Sequence, residues 1–160
     1  MTISILSDFN ESPGPRYCKQ GKASGEEFYH KILNSKFADA IKSKQKLQLN
    51  LDGTDGYMSS FWDEAIGNLV FDFSSQKVNE YLEIISKEEP VWKELIFKSI
   101  IPEWEERRIK NDTPKKTSQN DHKAWFRLVN GQLEQKIWIS SSVVYCPRLI
   151  GLIGYQSLLI

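Results

Sequence analysis

The 160-residue sequence predicts an α/β fold ending in a β-hairpin. Three observations predict it. Segments with a strand period alternate with segments apolar at a helix period, in the order strand, helix, strand, helix, strand, helix. An Asn130-Gly131 pair, the favoured type I′ turn, stands between residues 125–129 and 132–139. The composition, 40% apolar and 12% aromatic, is enough for one real core at this length.

The elements follow in order. Residues 2–6 alternate weakly and predict a first strand, which Ser12-Pro-Gly-Pro15 ends. Residues 16–22 read as a polar loop. Ser24-Gly-Glu-Glu27 has the form of a capping box, in which the Ser24 hydroxyl accepts from the Glu27 N–H. The helix it opens carries Phe28, Ile32, Leu33, Phe37, Ala40 and Ile41 along one side. Residues 46–51 predict a second strand, with Leu47, Leu49 and Leu51 facing one way, and Asp52-Gly-Thr-Asp-Gly56 turns the chain. Ser60-Phe-Trp-Asp63 predicts a weaker capping box with Ser60 as N-cap. Its helix has Phe61, Trp62, Ala65, Ile66, Leu69 and Val70 on a wide apolar stripe.

Residues 78–85 predict a third strand. Glu88-Glu-Pro90 is a helix entry, since proline fits the first turn. Val91, Trp92, Leu95 and Ile96 form that helix's buried side, and Pro102 is expected to kink or split it near residues 98–101. In the hairpin, a two-residue turn sets Arg127 opposite Glu134. The chain thus divides into an α/β domain (1–110), a polar linker or mobile loop (111–123), and the hairpin with an apolar C-terminal segment (124–160).

Composition narrows the function. Net charge is zero, which argues against a nucleic-acid partner, because such a groove needs clustered Lys and Arg. Cys18 and Cys146 lack metal spacing and are expected as thiols in a reducing, cytoplasmic setting. No signal peptide is evident in the first residues. Beyond Ile137 the only formally charged side chain is Arg148, but Pro147, Gly151 and Gly154 interrupt the run. A buried region or a homo-oligomer interface through Leu149, Ile150, Leu152, Ile153, Leu158, Leu159 and Ile160 is therefore expected over a membrane span. His30 and His122 are expected to be solvated, and the five tryptophans to be core or interface residues.

The chemistry centres on residues 47–70. Asn50-Leu-Asp-Gly-Thr54 resembles the haloacid-dehalogenase phosphatase signature, Asp-x-Asp-Gly-Thr. Asn50 stands where the nucleophilic aspartate belongs, and its amide does not attack phosphorus usefully. Asp52, Asp55 and Glu64 lack the spacing of a calcium loop. No complete catalytic set emerges, and no cofactor or metal is expected.

Arg16-Tyr17, Gly21-x-x-Ser24-Gly25-Glu26-Glu27-Phe28, Leu51-Asp52-Gly53 and Ser59-Ser60-Phe61-x-x-Glu64-Ala65-x-Gly67 stand in order at plausible spacing. On these motifs residues 16–85 resemble the STAS-like domains of unassigned function found in bacteria, distant relatives of anti-sigma-factor antagonists. The resemblance implies a STAS-like mixed sheet packed by helices, so that 1–110 is a STAS-like α/β domain. It also implies a non-enzymatic regulatory module for protein–protein interaction. In the antagonists a histidine-kinase-like ATPase phosphorylates the first serine of an Asp-Ser-Ser-Gly-Leu-Gly step. That serine corresponds to Ser59, the phosphoacceptor candidate. Met58 replaces the Asp, and Phe61 and Trp62 replace Gly and Leu. The expected contact surface for a protein partner comprises Arg16, Gly21, Ser24, Gly25, Ser60, Phe61, Trp62 and Glu64. The competing expectation is a small enzyme or anion-binding protein, with Asp52 and Asp55 as acid/base groups and Arg16 and Lys22 holding the anion.

Overall fold

The leucines of residues 47–51 settle the centre of the molecule. In this computed structural model, which describes residues 1–117 and 124–137, β2 (Leu47–Asn50) has Leu47 and Leu49 fully buried, with half-buried Gln48 between them. β1 (Thr2–Ser4) and β3 (Leu82–Ile85) flank it, and both pair with it in parallel. The core sheet is therefore wholly parallel rather than mixed, and the antiparallel pairing lies in the hairpin. Parallel neighbours need long crossovers, which the helices supply. His122, Trp138, Cys146 and the apolar C-terminal segment lie outside the described residues.

The first crossover begins with a single turn, α1 (Ile5–Asp8), directly after β1. A loop then leads to one continuous helix in three parts: α2 (Gly25–Phe28), a π turn (Tyr29–Leu33) and α3 (Asn34–Ser43). Its start is as the sequence predicts, with the Ser24 hydroxyl accepting from the Glu27 N–H at 3.1 Å. Glu27 reaches back to the Ala23 N–H at 2.9 Å.

The second crossover is α4 (Ser59–Phe73) followed by α5 (Ser75–Tyr81). Twelve of the fifteen residues of α4 are buried. A helix enclosed on nearly all sides is the centre of a core rather than a half-exposed face. It packs against α2, α5, α7 (Ile101–Ile109) and β4 (Ala124–Val129). The strand expected over residues 78–85 is half helix. Ser74 caps α5 by accepting from the Lys77 N–H, and Val78 fills the core as a helical residue. Only residues 82–85 pair with β2, because a short apolar run does not by itself separate the two periods.

α6 (Val91–Leu95) runs through a second π turn (Ile96–Ile100) into α7. Pro102 sits in the first turn of α7. Proline has no N–H and crowds the carbonyl four residues back, here Lys98 inside the π turn. The wider turn takes up that conflict, so the helix continues instead of splitting.

In the hairpin β4 pairs with β5 (Gln132–Ile137), and Arg127 lies opposite Glu134. Asn130 and Gly131 both have positive φ, 51° and 79°, as a type I′ turn requires. The hairpin is clamped to α3 by Asn34, whose amide accepts from the Phe126 N–H at 2.7 Å and donates to the Phe126 carbonyl at 2.9 Å.

Gly67 lets Trp104 of α7 pack close against α4: a Cβ there would lie 2.2 Å from the Trp104 ring. We expect Gly67→Ala to lower stability by about 1–3 kcal/mol, as overpacking does. Urea denaturation measures this, and an unchanged midpoint would contradict the close contact.

Candidate functional site

The step from β2 into α4 and the loop from Arg16 to Gly25 meet in space, as the sequence suggests, but they meet by packing on each other. The Gly25 N–H donates to the Pro15 carbonyl at 2.9 Å and the Glu26 N–H to the Arg16 carbonyl at 3.0 Å. A Cβ on Gly25 would lie 2.3 Å from the Phe61 carbonyl oxygen, so glycine lets α2 touch the first turn of α4. The Arg16 guanidinium donates to Asp63 and lies 3.8 Å from Glu64. Asp63 also accepts from the Trp104 indole at 2.7 Å. Arg16 is thus an internal counter-ion.

Three expectations about this step change. Ser60 is not the N-cap: α4 begins at Ser59, Met58 is the cap position, and no side chain caps the helix. Asp63 serves Arg16 and Trp104 in place of a capping box. Phe61 and Trp62 are fully buried and belong to an aromatic cluster with Phe28 and Tyr57, so neither offers an exposed docking surface. Ser24, Gly25 and Glu64 are buried as well. Gly21 is exposed and Ser60 half-buried. Ser59 is exposed beside Met58, which is 57% exposed.

Beyond the carboxyl ends of the strands lies a cavity of about 190 Å³, lined by Asp52, Asp55, Tyr57, Glu88, Glu89 and Trp92 among others. Its acids are tied into the loops. Asp52 Oδ1 accepts from the N–H groups of Lys87 at 2.7 Å and Glu88 at 3.1 Å. Glu88 accepts from the Gly53 N–H at 2.8 Å, and Asp55 accepts from the Ser12 hydroxyl. The Tyr57 phenol is pushed up to about 12, first by burial and then by the charges of Asp52, Glu89 and Glu88. Among the described residues no group of three or more His, Cys, Asp or Glu side chains has the arrangement to hold a metal ion.

A second set of polar groups went unseen in the sequence. Glu26 is fully buried and accepts from the Cys18 N–H at 2.9 Å and from both the N–H and hydroxyl of Thr117 at 2.6 Å. Asp72 is buried in α4 and accepts from the Tyr29 hydroxyl and from Arg127 Nε, both at 2.5 Å. Arg127 thus turns inward from the register that places it opposite Glu134. His30, expected in solvent, is half-buried and stacks edge-on against Tyr29 and Trp125. Lys116 Nζ lies 3.0 Å from His30 Nε2. One signal was present: Asp72 interrupts Leu69-Val-Phe-Asp-Phe73, where a lone acid among apolar residues implies a buried partner.

A family model described as "STAS-like domain of unknown function (DUF4325)" matches residues 24–92. Over these residues the chain is similar to that STAS-like family. No curated protein and no solved structure matches the chain. The matched segment runs from the Ser24 cap to Trp92 and contains β2, α4 and β3. It leaves Arg16 and Gly21 outside. Asp72 lies within the matched segment, but Thr117, Lys116 and Arg127, which complete its buried polar groups, come from the chain beyond it.

Burial drives the Glu64 carboxyl up to about 7, against the Asn68 amide at 2.7 Å and the Arg16 charge, which favour ionisation. Its folded value stands above the ordinary 4.5, so the stability it contributes is complete below pH 4.5 and is lost as pH rises through 7. The full loss is about 3 kcal/mol. Glu64→Gln keeps a neutral side chain at every pH. Its advantage over wild type should therefore grow across this window, as read by urea midpoints at about pH 5 and about pH 8. Parallel profiles for the two proteins would rule the buried carboxyl out as the cause.

Proposed function

We propose that the chain is a non-enzymatic regulatory module that docks on a partner protein and is switched by a phosphate on Ser59, with a histidine-kinase-like ATPase as the partner. One observation carries the reading. Ser59 is exposed at the first position of a fifteen-residue helix inside a STAS-like domain. Its hydroxyl makes no hydrogen bond to any described residue. The large aromatics that follow it face the core, which leaves the approach to Ser59 open.

The physical setting favours a phosphate. A helix N-terminus presents unpaired N–H groups and the positive end of the dipole. A phosphate adds between −1.5 and −2 charges at about pH 7 and three strong acceptors. At the start of α4 it changes the surface without opposing the fold. Asp63 carries its charge close by, but Arg16 neutralises it. Exposed Met58 adds an apolar contact beside the acceptor.

The enzymatic alternative finds less support. The cavity that holds Asp52 and Asp55 also holds Glu88 and Glu89, and four carboxylates repel a phosphate ester. Asp52 already receives two backbone N–H groups, and Arg16 is paired away from the cavity.

The switch is tested by incubating the full chain with histidine-kinase-like ATPases encoded nearby, with ATP and magnesium, and weighing the product by mass spectrometry. One phosphate should appear on the wild type and on Ser60→Ala, and none on Ser59→Ala. Ser59→Asp should then shift affinity for the same ATPase by roughly tenfold or more relative to Ser59→Ala, an energy of about 1.4 kcal/mol. No phosphate, or a phosphate retained in Ser59→Ala, removes the switch.

A further inference from the structure

The polar chain after α7 was expected as a linker or mobile loop, yet its last described residues before the hairpin are fastened to buried side chains. We propose that residues 113–117 form a strap across the helix that begins at Gly25, latched near neutral pH and released by acid when His30 takes a proton against Lys116. The proposal is independent of Ser59.

The strap has no regular secondary structure, so no ladder of backbone bonds holds it. Among the described residues, contacts to Glu26, His30 and Trp125 do so instead. Thr117 donates twice to Glu26, once to each carboxylate oxygen, at 2.6 Å. Lys116 Nζ lies 3.0 Å from His30 Nε2 and 4.9 Å from the centre of the Trp125 ring. Ordering five residues costs conformational entropy, and a segment held by so few contacts belongs to the low-stability end of a structure.

The Lys116–His30 contact has a built-in condition. An ammonium has only donors, so Nε2 must present its lone pair. Once the imidazole is protonated both ring nitrogens are donors, and the same geometry becomes two cations in contact. Histidine makes that change between about pH 5 and pH 8.

The surroundings decide how far the strap tolerates it. The Tyr29 ring from the same helix and the Trp125 ring from β4 pack against His30. Glu26 from that helix, Glu64 and Asp72 from α4 and Arg127 from β4 act on Lys116 through their charges. Burial pushes the Lys116 ammonium below its ordinary value, and the charge of Arg127 adds to this, although Asp72, Glu64 and Glu26 pull the other way. Lys116 is therefore a cation already poorly accommodated before His30 gains charge. Glu64, titrating at about 7, loses its negative charge in the same window and with it part of the support for Lys116. The two protonations act in one direction, toward release.

The measurement is hydrogen exchange of the Thr117 amide in the full chain, corrected for intrinsic rate. Protection should fall roughly tenfold or more between about pH 7.5 and about pH 5.5, while the Leu49 amide of the core sheet stays protected. His30→Gln keeps an acceptor and cannot become a cation, so its Thr117 protection should be flat over the same range. Glu26→Gln should weaken protection at both pH values. Equal wild-type protection at the two pH values overturns the proposal. So does an undiminished fall in His30→Gln, including the case where only Glu64→Gln abolishes it.

Discussion

The burial of α4 with two carboxylates on it is the constraint to which the rest of the structure answers. Glu64 and Asp72 lie two helical turns apart on a helix that has almost no solvent face. An uncompensated charge in such a place costs several kcal/mol. Each acid is therefore met by polar groups, all but Asn68 from outside α4. Asn68 and Arg16 turn to Glu64, and Tyr29 and Arg127 turn to Asp72. The loop before α2 and the hairpin after α7 are held to the core through these compensations as much as through apolar contact. A segment that looks peripheral in sequence becomes part of the interior because it carries a counter-charge.

This explains what was and was not legible in the amino-acid order. Leu47 and Leu49, the Ser24 cap and the Asn130-Gly131 turn each act within a few residues of themselves, so local pattern reveals them. The partners of Glu26 and Asp72 are ninety-one and fifty-five residues away at Thr117 and Arg127, and no local pattern carries that information. Residues 111–117 read as linker because they are polar. Their polarity is the requirement for meeting buried acids. Ser60 fits the capping motif with Asp63, but α4 already starts at Ser59 and Asp63 is taken up by Arg16 and Trp104, two distant partners that local pattern does not reveal.

The aromatic step after Ser59 shows how burial can reverse an inference. As letters, Phe61 and Trp62 look like obstacles or a sticky surface beside an acceptor serine. In the fold they are the inner wall of the first turn of α4, against Phe28 and Tyr57. Their bulk anchors the helix start and leaves its outer edge to Ser59 and Met58. Behind the exposed Ser59 hydroxyl stands a buried aromatic wall rather than a glycine-rich step.

The π turn at Tyr29–Leu33 has a consequence for the phase of the first long helix. Residues five apart on an α-helix point about 140° away from each other. Tyr29 and Asn34 are five apart, yet the Asn34 amide donates to the Tyr29 hydroxyl at 2.8 Å. The wider turn brings them onto one side, where Tyr29 reaches Asp72 and Asn34 reaches the backbone of Phe126. Helix and hairpin are thus joined by a phase offset of a single inserted residue. Removing that residue would preserve every side chain in the network and leave the helix intact, yet the two halves of the clamp would face different directions. The specification of this interior lies in a count along the chain as much as in the identity of its residues.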